Sequence, residues 1–275
     1  MKEVFITKAT GQKEAFDAKK LTESLMRSGA SEPVAREVLK MVEKSLVQEM
    51  STSEIYHQAF SLLHKKERLA AMRYSLPKAI AELGPSGFPF EQFLQEVLKA
   101  EGYAVKRDVT VMGACVEHEV DLVATKDDRR VYIEVKFHNE RGIKSDLKVA
   151  LYIAARFEDI AKVEKKDGKK EEIWLMTNTK FSHSAIAYGL CKGLALIGWD
   201  YPSEGSLRNL IERSGLHPLT CLSSLTNAQK KVFFENGVVL CKDVLLRTDI
   251  LQSLGIAGSK LDTLKEDVNA LCCSV

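Results

Sequence analysis

Residues 118–139, HEVDLVATKDDRRVYIEVKFHN, restrict the fold more than any other stretch of this chain. Two runs rich in Val, Ile and Leu alternate with polar residues and are joined by Asp127-Asp128, the pattern of antiparallel strands in a tight hairpin. With the two aspartates as the connection, partners across the hairpin have numbers that sum to 255, which sets Asp121 opposite Glu134 and Glu119 opposite Lys136. A period of two then puts Glu119, Asp121, Glu134 and Lys136 on one face and Val120, Leu122, Ile133 and Val135 on the other. Opposed residues have Cβ atoms ~4.5–5.5 Å apart. Two carboxylates that close repel, and a hard divalent cation between them relieves the repulsion. Such an ion lowers the pKa of a bound water and stabilises charge on a phosphoryl oxygen. Lys136 would orient or deprotonate that water, or neutralise the phosphate. A hairpin with a solvated face and cross-strand ion pairs has the same pattern, so the residues alone leave both readings open.

The chain around the hairpin falls into segments. Residues 1–83 read as two short strands (Glu3–Thr7 and one near Ala15, with a turn at Gly11) followed by helices. Asp17 caps the first helix and Gly29 stops it. Ser31 precedes the second helix, and Ser51 with Glu54 forms a capping box for the third. Pro77 splits the fourth. GPSGFP, 84–89, holds two Gly and two Pro and reads as a linker. Residues 90–204 follow the order α-β-β-β-α-β-α-β. Their first helix carries Phe90, Phe93, Leu94, Val97 and Leu98 on one side, and KVEKKDGKKEE reads as a solvated loop or helix end. This predicts an α/β (α+β) class, a mixed sheet flanked by helices. Residues 205–275 read as a small helical segment of their own.

An acid on one strand, E-x-K on the next, and a preceding helix with another Glu resemble the PD-(D/E)xK nuclease core. That core is shared by type II restriction enzymes, archaeal Holliday-junction resolvases and Mrr-like restriction endonucleases, and the likeness covers roughly 87–202. The resemblance implies a restriction-endonuclease-like fold and a Mg²⁺- or Mn²⁺-dependent endonuclease. It makes Asp121 and Glu134 metal ligands, joined by the Val135 carbonyl, and Lys136 the catalytic lysine. Glu91 stands for the helix glutamate that assists the metal, with Glu96 the weaker substitute. Val120 precedes Asp121 where many members have proline.

DNA is the expected partner. His138, Asn139, Arg141 and Lys144 come after the lysine at the edge of this site, and Lys180 in TNTKFS reaches a phosphate or ends a strand. Lys148, Tyr152 and Arg156 recur every four residues as a polar helix stripe, facing either DNA or solvent. His118 shares the apolar face of Val120 and reads as a hydrogen-bonded core histidine.

ITKATGQKEAFDAKKLTESL, with the closing LAAMRYSLPKAI, resembles an ATP-cone, a regulatory nucleotide-binding domain, over residues 1–83. Ile6, Lys8, Gly11, Glu14, Asp17, Lys20 and Leu21 match that family's pattern. The resemblance implies ATP or dATP as a regulatory ligand, with Lys8 and Lys20 on its phosphates. Ala9 stands where a basic residue usually follows the first lysine, and a protein-binding or dimerising helical module fits the same residues. SSLTNAQKKVFFENGVVLCKDVLL is similar to a helix-hairpin-helix unit with Gly237 at its turn, and equally to a packing element.

A net charge of +2 gives no polybasic field, so any nucleic-acid surface is a local patch. Six cysteines without a CxxC pair show neither a zinc spacing nor a disulfide framework, and no P-loop or GxGxxG occurs. With no signal-like or membrane-length apolar run, the expectation is a cytoplasmic protein without a membrane partner, assembling as a homo-oligomer. The rival to an enzyme is a nucleotide-responsive DNA-binding regulator whose nuclease fold is inactive.

Overall fold

A computed structural model describes residues 3–8, 10–84, 86–140, 142–163 and 168–272. The chain divides into two compact units, one of Met1–Ala79, Leu219–Val232 and Cys241–Val275, the other of Ile80–Pro218 and Phe233–Leu240.

The first unit opens with β1 (Phe5–Thr7) and β2 (Lys13–Ala15), antiparallel with Ile6 opposite Glu14. Gly11, at φ 78°, makes the turn between them, a conformation that favours glycine. Asp17 accepts from the Lys20 amide at 3.1 Å and starts α1 (Ala18–Arg27). α2 (Glu32–Ser45) carries Pro33 in its first turn, and α3 (Thr52–Lys66) begins at the predicted Ser51–Glu54 capping box. The pattern around Pro77 does divide, into α4 (Arg68–Tyr74) and α5 (Leu76–Ala81). Leu21, Leu25, Val38, Val42, Ile55, Ala59 and Leu63 bury the inward stripes of these helices in one core.

The second unit begins at Ile80, ahead of the stretch expected as a linker. α6 (Phe88–Ala100) takes up Phe88 and Pro89, because proline fits a helix's first turn, so the end of 84–89 is helix. Phe90, Phe93, Leu94, Val97 and Leu98 are all fully buried. Next come β3 (Ala104–Met112), β4 (Glu117–Lys126), β5 (Arg129–Lys136), β6 (Lys144–Ser145), α7 (Leu147–Ala161), β7 (Lys170–Thr177), β8 (Lys180–Phe181), α8 (His183–Lys192), β9 (Ala195–Ile197) and α9 (Leu207–Ser214). The main sheet has the order β3-β4-β5-β7-β9. β3, β4 and β5 form an antiparallel meander, while β7 and β9 join parallel through α7 and α8. This is the mixed, helix-flanked sheet of a restriction-endonuclease-like fold.

Two sequence expectations change here. The charged stretch at 162–172 is not loop throughout, since β7 starts at Lys170 (164–167 lie outside the described residues). Arg129 holds Glu172 with bonds of 2.9 and 2.7 Å, which draws these charged residues into the ladder beside β5. The hairpin register holds as predicted, Leu122 to Ile133 through Lys126 to Arg129, but strict alternation does not. Val120 and Val123 fall in one apolar cluster with Tyr132 of β5 and with Phe157 and Ile160 of α7. Residues three apart on a regular strand face opposite ways, so the alternation slips once between them. Val120 therefore parts from Leu122, with which it was expected to share a face. The slip lies opposite Asp108, whose φ of 51° marks the matching irregularity in β3.

After α9 a short 3₁₀ turn (Leu219–Cys221), α10 (Asn227–Glu235), α11 (Cys241–Val244), α12 (Thr248–Ser253) and α13 (Ser259–Cys272) complete the chain. The segment expected to stand alone is divided instead. α9 belongs to the second unit, and most of the chain beyond Pro218 belongs to the first. Arg68 of α4 meets the fully buried Asp267 of α13 at 2.6 Å, and Thr220 donates to the Ala79 carbonyl at 2.7 Å. A short helical stretch with apolar stripes cannot bury them alone, and the amino-terminal helices supply the partner.

Candidate active site

The site forms where β4 and β5 part. The described ladder pairs Leu122 with Ile133 and goes no further toward Asp121 and Glu134. Beyond it the Asp121 carboxylate takes over, accepting from the Val135 amide at 2.6 Å. A side-chain oxygen thus satisfies the amide that a neighbouring strand leaves open.

Glu134 lies on the central strand β5 with only 7% of its surface exposed. Two cations hold it: Lys136 Nζ at 3.0 Å from one oxygen, and Arg156 of α7 on the other. Arg156 also donates to the Glu119 carbonyl at 2.9 Å and to the Tyr152 hydroxyl at 2.6 Å, and lies over the Tyr152 ring. Lys136 remains about one-third exposed, so its ammonium reaches solvent while touching the acid.

Glu91 projects from the first turn of α6. A Cβ on Gly87 would come within 3.1 Å of Glu91 Oε1, so a larger residue there would shift the carboxylate by a few tenths of an ångström. Burial pushes the Glu91 carboxyl up to about 7, aided by the negative charges of Asp121, Asp108 and Glu134, against the pull of Arg107. Burial and then the charge of Glu134 push Asp121 up to about 6, against the Val135 amide, Lys136 and Arg156. Glu91 and Asp121 are therefore costly to ionise beside each other and beside Glu134, the condition a divalent cation relieves.

Carboxylate and carbonyl oxygens are the donors Mg²⁺ or Mn²⁺ takes, and the repulsion between Glu91, Asp121 and Glu134 fits such an ion. As the side chains stand, no three His, Cys, Asp or Glu groups among the described residues close into a ligand set, and Glu134 is turned to its two cations.

The other predicted residues surround this cluster at varying distance. The His138 amide donates to Asn178 Oδ1 at 2.9 Å, and Asn178 returns a bond to the His138 carbonyl. The His138 ring meets the Ser145 hydroxyl at 3.2 Å. Burial, with the Lys136 charge, holds its pKa below the ordinary histidine value. β6 and β8 pair in parallel with Lys144 beside Lys180, both exposed, so two of the expected phosphate contacts share one edge past the ends of β5 and β7. Asn139, Lys148 and Tyr152 are exposed, and Arg141 lies outside the described residues. Arg156 is not part of an outward stripe. It turns into the acid cluster, which its four-residue spacing from Tyr152 gave no means of telling. His118 meets Asp159 of α7 at 2.8 Å, the hydrogen-bonded role expected of it.

Of the residues matched to nucleotide binding, Ile6 and Leu21 are buried in the first unit's core. Lys8 pairs with Glu14 at 2.6 Å. Lys20 is largely exposed, 3.8 Å from Asp17, and nothing crowds Gly11.

The sheet, the parted strands and the convergent acids are those of a restriction-endonuclease-like domain, and residues 84–199 match the restriction endonuclease family model Mrr_cat. That match supports a nuclease-type hydrolase. Residues 217–272 match the family model AF1548-like, C-terminal. An uncharacterized protein of Archaeoglobus fulgidus is 38% identical over 171 residues, 61% of this chain and 92% of its own length. The crystal structure of AF1548, a protein of unknown function, aligns at TM-score 0.54 and 34% identity, covering 67% of this chain and 98% of that one. The chain belongs to the AF1548-like family. A slighter likeness, TM-score 0.36 and 11% identity over 71% of this chain and 54% of the other, is to Can2 from Sulfobacillus thermosulfidooxidans in complex with cyclic tetra-adenylate, too slight to bear on this chain. Both family matches lie outside residues 1–83. Among the described residues no helix is long and apolar enough to cross a membrane.

Proposed function

We propose that this protein is a metal-dependent DNA endonuclease that hydrolyses phosphodiester bonds. The observation that carries the reading is Asp121 bonded to the Val135 amide where β4 and β5 part, beside Glu134 with the Lys136 ammonium on it, and with Glu91 and Asp121 both costly to ionise there. Asp121, Glu134 and the Val135 carbonyl would hold a Mg²⁺ or Mn²⁺ ion, assisted by Glu91. Bound there, the ion supplies positive charge to a phosphoryl oxygen and acidifies a water. Lys136 presents its ammonium to the phosphate and, through its bond to Glu134, keeps that carboxylate oriented. Arg156 offsets the charge of the buried Glu134 and fixes its second oxygen. Lys144 and Lys180, with His138 and Asn139, give the backbone of the nucleic acid a local cationic edge. Arg141, Lys148 and Tyr152 extend the same contact.

Residues 1–83 act in this reading as a site for ATP or dATP, with Lys8, Gly11 and Lys20 on the phosphates. A nucleotide that favours one conformation or one homo-oligomeric state would shift cleavage with it. The protein works in the cytoplasm, in defence against foreign DNA or in repair.

The test is plasmid nicking with Mg²⁺ or Mn²⁺, with and without ATP or dATP, for the wild type, Lys136→Ala and Asp121→Asn. Metal-dependent cleavage by the wild type and its loss in both variants is expected. Equal behaviour of all three overturns the enzyme. Tight DNA binding without cleavage under either metal instead supports the inactive regulator, which the hold of Lys136 and Arg156 on Glu134 makes a definite second reading.

A further inference from the structure

At the other end of β5 from Glu134 and Lys136 the second unit carries a half-open cavity of about 560 Å³. Arg129, which begins β5, lines it, and four residues of strand lie between Arg129 and Glu134, which stand roughly 16 Å apart at the usual rise. The cavity is therefore distinct from the acid cluster, and its lining residues all belong to Ile80–Pro218.

Its chemistry has three parts. Leucines of α6, β9 and α9, with Leu194, make an aliphatic floor. Tyr103 and Trp174 meet edge to face at 5.8 Å, and Tyr201 adds a third ring, so flat aromatic surface lines the same space. Arg129 grips Glu172 with two bonds, and Arg213 grips Glu101 at 3.3 and 2.9 Å. Each pair is neutral as a whole. A guanidinium carries five N–H donors and each of these spends two, while the carboxylates keep free lone pairs. The polar part of the lining thus offers donors and acceptors together but no net charge. Leu190, 73% exposed, adds an apolar lip.

A volume of this size is that of a small-molecule site, and an apolar body with a few convergent polar groups is the usual make-up of one. We infer that this cavity binds an uncharged, flat heteroaromatic molecule of nucleobase or nucleoside size. Its ring would lie on the leucine floor against Tyr103 and Trp174, and its edge would exchange hydrogen bonds with the two Arg–Glu pairs. An aliphatic ligand would leave the polar groups unsatisfied. An anion would find each guanidinium already neutralised by its carboxylate.

The probe is adenosine, titrated into the full chain by calorimetry and by tryptophan fluorescence, since Trp174 lies in the wall. We expect saturable one-to-one binding with Kd about 1 mM or tighter, and AMP no tighter than adenosine. Ala195→Trp, which fills the cavity from β9, should weaken binding at least about tenfold. Arg213→Ala, on an exposed side chain, should weaken it several-fold, and serves if the first variant fails to fold. Lys40→Ala, at an exposed position of α2 with no part in either site, should leave it unchanged. Absence of binding by adenosine, guanosine, cytidine and uridine to folded protein overturns the inference. So does binding indifferent to both cavity variants, or AMP preferred over adenosine about tenfold. A dimer that Ala195→Trp dissociates in sedimentation would assign the cavity to a second copy of the chain and overturn it as well.

Discussion

Replacing Asp121 by Asn should make the metal-free protein more stable while abolishing cleavage. The Asn side chain keeps an oxygen for the Val135 amide and removes the negative charge that burial and Glu134 make costly. A carboxyl raised from 3.8 to about 6 holds its proton more tightly in the fold than in the unfolded chain. Stability from the protonated form is thus complete below about pH 3.8 and is lost as pH rises to about 6. For an isolated group cut off from solvent that interval is worth about 3 kcal/mol. Asp121 is only partly buried, so screening reduces the gain to about 1–2 kcal/mol, a rise of about 2–8 °C in melting temperature. Thermal denaturation in EDTA at pH 8 should show the full gain, shrinking to about half by pH 5. Added Mg²⁺ should raise the melting temperature of the wild type more than that of the variant. A variant no more stable than the wild type at pH 8, or a gain that does not fall with acidification, would mean that the acids do not repel as argued.

Arg156→Ala removes one of two cations on the buried Glu134 and should cost about 2–4 kcal/mol, read as a lower midpoint in urea at pH 8, with Arg156→Lys recovering part of it. Gly113→Ala would set a Cβ 2.1 Å from Asp159 Oδ2 and 2.8 Å from the Val116 carbonyl, where Asp159 ties Cys115, Val116 and His118 to α7. We expect a loss of more than about 2 kcal/mol with Asp159 displaced, seen in a lower melting temperature and the loss of the low pKa of Asp159, about 2 in the intact turn. Lys144→Ala and Lys180→Ala should weaken DNA binding whatever its sequence, and each should reduce the salt slope by about 1.

The local pattern determined much of this protein. Strand periodicity around an Asp-Asp connection is enough to set the register from Leu122–Ile133 to Lys126–Arg129, and the spacing of Phe90, Phe93, Leu94, Val97 and Leu98 is enough to mark the buried face of α6. Asp17, Ser51 and Pro77 act within one turn of the chain, so their effects were legible as well. Tertiary structure decided everything that depends on partners distant in sequence. Whether Arg156 faces DNA or Glu134 is settled by how α7 lies on β5. That the β3–β4 register passes over Asp121 and Asp108 is seen only in the folded sheet. That most of the chain after Pro218 joins the amino-terminal unit is decided by which apolar stripes lack a partner. The cavity at Arg129 is made by α6, β7, β9 and α9 together, no one of which carries a mark of it. Propensity and periodicity act over a few residues, whereas charge pairing and burial act over distances that only the folded chain brings within reach.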